Sequence, residues 1–188
     1  MLNSFIFALK LIATLLSKNN IHSIRVSELS EAIAIEMKLP ENRVNDIKTI
    51  GTIHDIGKIV IDSSILEKKS PPTKKEREII YNHSLIGSRM LSSTHEYTRL
   101  APGVLHNHEK MDGTGYPNNL KGDQIPLESR IISVADAFDA MISSRPYKKN
   151  PMIIKDAIAE IIKCSGTQFD KEIAKLFIEK VIPKFYSL

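Results

Sequence analysis

The sequence has no tryptophan, a single cysteine and few aromatic residues of any kind. Aromatic residues make up 6% of its 188 positions, so an extended stacking platform for single-stranded nucleic acid is not expected. The lone cysteine, Cys164, excludes an intramolecular disulfide framework and a cysteine-rich zinc site. It also fits a reducing compartment, and a cytoplasmic location is therefore expected.

Long apolar runs and a strong charge of one sign are missing as well. No apolar run reaches the length of a membrane span. The stretch 2–16 is apolar but interrupted by Lys10, so it predicts an amphipathic helix and not a signal peptide. The formal net charge is +4, from 26 basic and 22 acidic residues. This surplus would help to attract a small anionic substrate, and a long nucleic acid is not an expected partner.

Helical periodicity dominates what the sequence does contain. With 42% hydrophobic residues, the chain can bury a core within one domain. Apolar residues recur at helical spacing in most segments, for example at Val26, Leu29 and Ile33. No strand-like alternation persists. The sequence therefore predicts an all-α, compact bundle of about seven or eight helices with no significant sheet.

Several residues mark expected helix ends. Thr73 and Glu76 have the spacing of a capping box, and Pro102 suits the first turn of a helix. Gly57 is expected to stop the third helix as a C-terminal glycine. Residues 112–127 are rich in glycine and proline and predict an irregular loop.

The first chemical signal is the adjacent pair His54-Asp55. Neighbouring positions on a helix point about 100° apart, so the two side chains could ligate one metal, or the carboxylate could bridge two. Taken alone, the pair fits a capping aspartate beside an unrelated histidine equally well. His83 strengthens the metal interpretation, because it lies on the apolar stripe of its helix and is predicted to face inward.

Further imidazole and carboxylate groups accompany these residues. Asp136 lies within an apolar helical segment, where a carboxylate is unusual. His106 and His108 are two positions apart and cannot share a helix face, so one of them is expected not to be a ligand. His22 is weak evidence alone, and His95 is expected at the surface. Mixed imidazole and carboxylate ligands suit iron, manganese, zinc or nickel better than calcium.

The motifs, taken in order, resemble those of the HD-GYP family. They are His54-Asp55-Ile56-Gly57-Lys58, His108-Glu109, Asp112-Gly113-Thr114-Gly115-Tyr116-Pro117, Val134-Ala135-Asp136-Ala137-Phe138-Asp139-Ala140 and Arg145-Pro146-Tyr147. The resemblance implies one HD-GYP-like domain over residues 1–188, with a leading helix over 1–20 and a family-matching core over 21–182.

The resemblance also implies an activity. HD-GYP proteins are α-helical bacterial phosphodiesterases that hydrolyse cyclic di-GMP to pGpG or GMP, and some act on related cyclic dinucleotides. The reaction uses a metal-bridging hydroxide. Two divalent transition-metal ions are implied here, with iron or manganese expected and zinc or nickel as alternatives. A signalling protein partner or a dimer is compatible with the resemblance.

Site residues follow from the resemblance position by position. The implied metal ligands are His22, His54, Asp55, His83, His108 and Asp136. The implied catalytic residues are Lys58 and Asp55. The implied substrate-binding residues are Gly115, Tyr116, Pro117, Arg145 and Lys148.

Two positions depart from the family pattern. Asn107 stands where a histidine is usual, which weakens the second metal site, and Lys18 stands where trinuclear members have a glutamate. An active phosphodiesterase with a weakened binuclear site is the first hypothesis. A degenerate module that binds a cyclic dinucleotide or a protein partner without hydrolysis is the alternative. A hydrolase of other phosphoesters is a third, against which the intact Gly115-Tyr116-Pro117 argues.

Overall fold

The fold, taken from a computed structural model that describes residues 20–143 and 150–186, consists of helices joined by turns and by one long loop over residues 106–126. The α-helices are α1 Asn20–Glu36, α2 Glu41–Ile53, α3 Ser63–Leu66, α4 Lys74–Ser92, α5 Ala101–Leu105, α6 Leu127–Ile142, α7 Ile154–Lys163, α8 Lys171–Leu176 and α9 Ile182–Phe185. A π-helical turn, Phe177–Val181, joins α8 to α9 in one continuous run, so the described residues contain eight helices.

The predicted all-α class is confirmed. Within the described ranges there is no sheet, and the single β-bridge joins Ser165 to Phe169. Short 3-10 turns occur at Ile56–Val60, Thr98–Leu100 and Gly122–Gln124.

The core is one cluster of buried apolar side chains that extends from Val26 to Ile182 along the chain. Helix α1 packs against α2 and α6, and α4 packs against α5 and the turn Ile56–Val60. Val26, Leu29 and Ile33 are almost fully buried on α1, and burial of each such side chain contributes about 1.5–3 kcal/mol. Helices α1, α2, α4 and α6 thereby meet around a common centre, where the polar side chains described below converge.

The expected role of Gly57 is wrong. Helix α2 ends at Ile53, with His54 as its C-cap, and Gly57 lies inside the following 3-10 turn. A Cβ atom at Gly57 would lie 1.9 Å from the carbonyl oxygen of His83. The glycine is therefore required by the close approach of the turn to α4. This approach brings Asp55 next to His83.

Helix α4 begins as its sequence predicts. The Thr73 hydroxyl accepts a hydrogen bond from the Glu76 amide, and the Glu76 carboxylate accepts one from the Thr73 amide, so the capping box is confirmed. His83 is buried as predicted. However, the apolar stripe invoked for it is only partly buried, since Ile79 is 43% exposed. The buried face of α4 is instead His83, Ser84, Gly87, Ser88 and Leu91.

Pro102 lies in the first turn of α5, as predicted, but that helix ends at Leu105, before His108. Among the residues that the structure describes, no helix is both long and apolar enough to cross a membrane. The leading helix expected over 1–20 lies outside the described residues except for Asn20. Lys18, Arg145 and Lys148 also lie outside them.

Candidate metal centre

Two clusters of imidazole and carboxylate groups lie side by side within the described residues. The first contains His22 from α1, His54 at the end of α2 and Asp136 from α6. Nε2 of His22 lies 3.2 Å from Oδ1 of Asp136, and Nε2 of His54 lies 3.8 Å from the same oxygen. One candidate ligand atom from each residue lies within 4.8 Å of the other two. Such spacing allows all three to reach one ion.

The second cluster contains Asp55, His83 from α4 and His108 from the turn that follows α5. Nε2 of His83 lies 3.3 Å from Oδ1 of Asp55 and 3.1 Å from Nε2 of His108. Two imidazole nitrogens and a carboxylate oxygen thus converge on one point, again within 4.8 Å of one another.

Asp55 lies between the two clusters, with one oxygen directed to each. Its Oδ2 is 3.5 Å from Nε2 of His54, in the first cluster, and its Oδ1 is 3.3 Å from Nε2 of His83, in the second. This is the arrangement that a carboxylate bridging two ions requires. The backbone on either side fixes the position of Asp55: α2 ends just before it, and the glycine-containing 3-10 turn begins just after it.

Backbone hydrogen bonds set the tautomers of two histidines. Nδ1 of His54 donates to the carbonyl of Gly51 at 2.8 Å, and Nδ1 of His83 donates to the carbonyl of Ile80 at 2.6 Å. Each bond leaves the lone pair on Nε2, the atom that faces the cluster. Both side chains are buried.

The donor atoms of the centre fit a divalent transition-metal ion. Nε2 of His54 and Oδ1 of Asp55 are buried and have no hydrogen-bond partner. Buried polar atoms are nearly always satisfied, and each exception needs an explanation. Ligation of a cation explains both atoms, and a set of imidazoles and carboxylates is the donor set that iron, manganese, zinc and nickel accept.

A buried hydrogen-bond network holds the His22 ring at Nδ1, the ring nitrogen that does not face the cluster. Nδ1 of His22 donates to Oδ2 of Asp139 at 2.6 Å, and Asp139 is fully buried. The guanidinium of Arg25 donates to both oxygens of Asp139 and, at 2.6 Å, to the hydroxyl of Ser143. Sequence reasoning assigned no role to Asp139 or Arg25. The available signal was helical spacing, because Asp139 follows Asp136 by three residues and Arg25 follows His22 by three.

Both cluster carboxylates are held in the ionised form. Burial alone would raise the pKa of Asp55, but the neighbouring positive charge of Lys58 outweighs it and holds the pKa well below its usual range. Burial also opposes ionisation of Asp136, but the hydrogen bond from His22 outweighs it and lowers the pKa of Asp136. Ionised carboxylates are the form that ligates a cation.

The histidines differ in their protonation. Burial opposes a charge on His22, yet its hydrogen bonds to Asp136 and Asp139 raise its pKa to about 9. Burial is the main cause that lowers the pKa of His108 to about 4. His108 is therefore neutral at physiological pH and has a lone pair available for ligation.

Lys58 places a cationic side chain next to the carboxylate of Asp55. Its Nζ donates to Oδ2 of Asp55 at 2.6 Å, and a third of its side chain remains exposed. The lysine lies one turn after Asp55, in the 3-10 turn of which Asp55 is the N-cap. It thus places a positive charge beside both clusters while keeping access to solvent.

The glycine-rich loop is held over the second cluster by Glu109, whose buried carboxylate accepts hydrogen bonds from the amides of Asn118, at 2.7 Å, and Leu120, at 3.1 Å. A Cβ atom at Gly115 would lie 2.4 Å from the Cα of Glu109, so only glycine allows this close approach. The ring of Tyr116 consequently stacks on the His108 ring, with centroids 5.0 Å apart. Pro117, which follows Tyr116, is exposed.

Three further positions singled out in the sequence are His95, His106 and Asn107. His95 is exposed, as expected. His106 lies outside both clusters, with Nδ1 3.7 Å from Oε1 of Glu109, so of the pair only His108 joins a cluster. Asn107 is 1% exposed, and neither its Oδ1 nor its Nδ2 has a hydrogen-bond partner. An unsatisfied buried amide costs about 1–3 kcal/mol.

Comparison with known proteins identifies the family. Residues 8–173 match the HD domain family, and the chain belongs to that family. The HD-GYP resemblance is confirmed by relatives such as the cyclic di-GMP phosphodiesterase of Thermotoga maritima, 43% identical over 88% of this chain and 46% of that protein. A second relative, 3'3'-cGAMP-specific phosphodiesterase 2 of Vibrio cholerae, is 34% identical over 84% of this chain and 30% of that protein.

The fold is shared with a solved structure. The crystal structure of a cyclic GMP-AMP specific phosphodiesterase of Vibrio cholerae superposes with a TM-score of 0.68, at 21% identity, over 94% of this chain and 48% of that chain. This chain therefore spans less than half the length of each of these three proteins.

Proposed function

We propose that the protein is a metal-dependent phosphodiesterase that hydrolyses cyclic di-GMP to pGpG, GMP or both. One observation carries the proposal: two imidazole and carboxylate clusters lie side by side, and Asp55 of the second cluster also lies 3.5 Å from His54 of the first. Paired ions suit the in-line displacement of a phosphodiester. The names of the relatives support a cyclic dinucleotide as the substrate class. A cytoplasmic location, expected from the single cysteine, is part of the proposal.

The proposed cofactor is a pair of divalent ions, iron or manganese, with zinc or nickel as alternatives. His22, His54 and Asp136 would hold one ion and His83 and His108 the other, with Asp55 between them. When bound, such a pair acts as a Lewis acid on the phosphoryl oxygens and supplies an activated hydroxide.

Lys58 neutralises negative charge at the reacting phosphate. Its Nζ donates a hydrogen bond to Oδ2 of Asp55, and its side chain remains partly exposed. A positioned cation of this kind stabilises charge that develops in the transition state more than charge in the ground state.

The loop of Gly115, Tyr116 and Pro117 is proposed to bind the rest of the dinucleotide. Tyr116 covers His108, and Glu109 fixes the loop from beneath, so the loop keeps one position relative to the second cluster. Arg145 and Lys148 are proposed to contact the substrate on the basis of the sequence pattern, since they lie outside the described residues.

Asn107 favours a second candidate function, a module that binds a cyclic dinucleotide without hydrolysis. Its amide is buried and unpaired beside His108, where the family pattern has a further imidazole. An amide oxygen can serve as a ligand, but it donates less to a transition metal than imidazole does. The second ion would then bind weakly.

Parallel assays of binding and cleavage separate the two functions. The purified chain is loaded with manganese or iron, its metal content is measured by elemental analysis, and cyclic di-GMP and cyclic GMP-AMP are offered separately. Conversion to linear product supports the enzyme. Tight binding of an intact dinucleotide by protein that holds both ions supports the binding module. If the chain neither binds nor cleaves either dinucleotide, both proposed functions are contradicted.

A further inference from the structure

The mouth of the candidate site carries an aromatic side chain that the family pattern did not single out. Tyr81 lies on α4, two residues before His83, and is 44% exposed. Its ring stacks on the ring of Tyr116, with centroids 3.9 Å apart and planes inclined by 12°. An exposed tyrosine stacked face to face on a residue of the site differs from the scattered apolar side chains common on protein surfaces.

The stack continues from Tyr81 to the metal centre. The Tyr116 ring lies over the ring of His108, with centroids 5.0 Å apart and planes inclined by 23°. Nε2 of His108 faces Nε2 of His83 at 3.1 Å, inside the second cluster. Three nearly parallel rings therefore lead from a candidate ligand to solvent.

The outermost ring has one face left for a ligand. Tyr116 covers one face of Tyr81, so the exposed surface of Tyr81 belongs to its other face and its edge. The stack on Tyr116 holds this ring in place, and the backbone that carries it is fixed in α4, where the Tyr81 carbonyl accepts a hydrogen bond from the Ser84 hydroxyl. A fixed, exposed ring next to a phosphate site is what a nucleobase uses for stacking.

We infer that Tyr81 is a specificity-determining residue that stacks on a purine base of the cyclic dinucleotide while the phosphodiester occupies the metal centre. The inference rests on the proposed function and adds the contact for the base. Stacking tolerates either purine, because every base has a π-face. Tyr81 therefore selects for a base-bearing phosphodiester and does not distinguish guanine from adenine.

The test compares steady-state kinetics of the metal-loaded wild type with those of Tyr81→Leu, Tyr81→Ala and Tyr81→Phe. Loss of the ring should raise KM for cyclic di-GMP and cyclic GMP-AMP alike, by roughly 5- to 100-fold, with kcat little changed. Tyr81→Phe keeps the π-face and should retain the wild-type KM. Competitive inhibition by inorganic phosphate, which has no base, should not change in any variant.

Ile79→Ala provides the matched control. Ile79 is 43% exposed on the same helix, so its truncation removes a similar exposed apolar group and should leave KM unaltered. Tyr81→Leu keeps bulk against Tyr116, and its metal content and circular dichroism should match those of the wild type.

A second readout uses Tyr81→Trp, which would introduce the only tryptophan of the chain. A cleavage-resistant phosphorothioate cyclic di-GMP should quench its fluorescence, and inorganic phosphate should not.

Two outcomes overturn the inference without touching the proposed function. One is an active wild type whose KM is unchanged in Tyr81→Leu and Tyr81→Ala. The other is a fall in kcat at constant KM, or a change in phosphate inhibition, since either would show that Tyr81 acts only by supporting Tyr116. A wild type that holds both ions and neither binds nor cleaves a cyclic dinucleotide overturns the proposed function together with the inference.

Discussion

Oδ2 of the buried Asp139 accepts a hydrogen bond from Nδ1 of His22 at 2.6 Å, although the two residues are 117 positions apart in the sequence. The bond fixes the ring so that Nε2 of His22 is directed at Asp136, 3.2 Å away. Carboxylate support of this kind orients a ligating imidazole and raises its basicity. The buried polar side chains between α1 and α6 thereby orient one candidate ligand, His22, toward the first cluster.

Asp139→Asn should weaken metal binding. The amide keeps the shape of the carboxylate but removes the charge that orients His22, so metal affinity should fall about 10–100-fold. Titration of the metal-stripped protein with manganese measures the effect. Asp123→Asn, at a carboxylate whose side chain is 96% exposed, is the control. Unchanged affinity in Asp139→Asn would show that the network does not support a ligand.

Asp55→Ala should remove bound metal and turnover together. The substitution deletes the carboxylate that faces both clusters. Asp55 lies in the turn after α2, and its side chain makes no capping hydrogen bond, so local folding should not suffer. Elemental analysis and circular dichroism report the two effects separately. Asp46→Ala is the control, because Asp46 forms only a partly exposed ion pair with Arg99. Full metal content in Asp55→Ala would contradict the bridging assignment.

Asn107→His should raise both metal occupancy and rate. As purified, the wild type is expected to hold fewer than two ions per chain and to need added metal, because an amide is the poorer ligand. Substitution of a residue that supports a metal ligand changes metal affinity or activity about 10–100-fold, and a change of a direct ligand should matter at least as much. If stoichiometry and rate both stay constant, position 107 is not a ligand. Full occupancy without cleavage would favour the binding module.

Arg145→Ala should weaken binding of cyclic di-GMP and leave metal content unaltered. The guanidinium offers a planar fork of donors suited to phosphate or guanine. Isothermal titration at low salt measures the affinity. Lys184→Ala removes the same charge from a surface pair with Glu36 and should have little effect. Equal affinities of wild type and Arg145→Ala would place Arg145 outside the binding site.

Gly57→Ala should destabilise the fold. Its Cβ would press on the His83 carbonyl, which is backbone and cannot rotate away. Such overpacking costs about 1–3 kcal/mol or more. Denaturant unfolding measures the change, and Ile59→Ala, at a 38% exposed position of the same turn, is the control. Equal stability of Gly57→Ala and wild type would show that the turn does not need this close approach.

The sequence predicted the helical class, because periodicity and local caps are read from neighbouring positions. It also pointed to imidazole and carboxylate residues that the structure brings close together. Thr73 with Glu76 is one such local signal, and the structure confirms it. The expected stop at Gly57 was wrong, since the requirement for glycine comes from α4, which is distant in the sequence.

The contacts that hold the candidate site in place could not be predicted either, because they too join residues that are distant in the sequence. The bond of Asp139 to His22 and the stack of Tyr81 on Tyr116 each join residues far apart in the chain. Only the packing of α1 on α6, and of the glycine-rich loop on α4, brings them together. The assignments of Arg145 and Lys148 remain predictions from the sequence pattern.

The proposed hydrolysis of a cyclic dinucleotide depends on two ions that Asp55 would hold between them. The most direct measurement is the rate of linear product formation from cyclic di-GMP as a function of manganese bound per chain, in the wild type and in Asn107→His. We predict that the rate rises with occupancy and reaches its plateau when both clusters are filled, with Asn107→His doing so at lower manganese. Full occupancy of both proteins with cyclic di-GMP left intact would contradict the account.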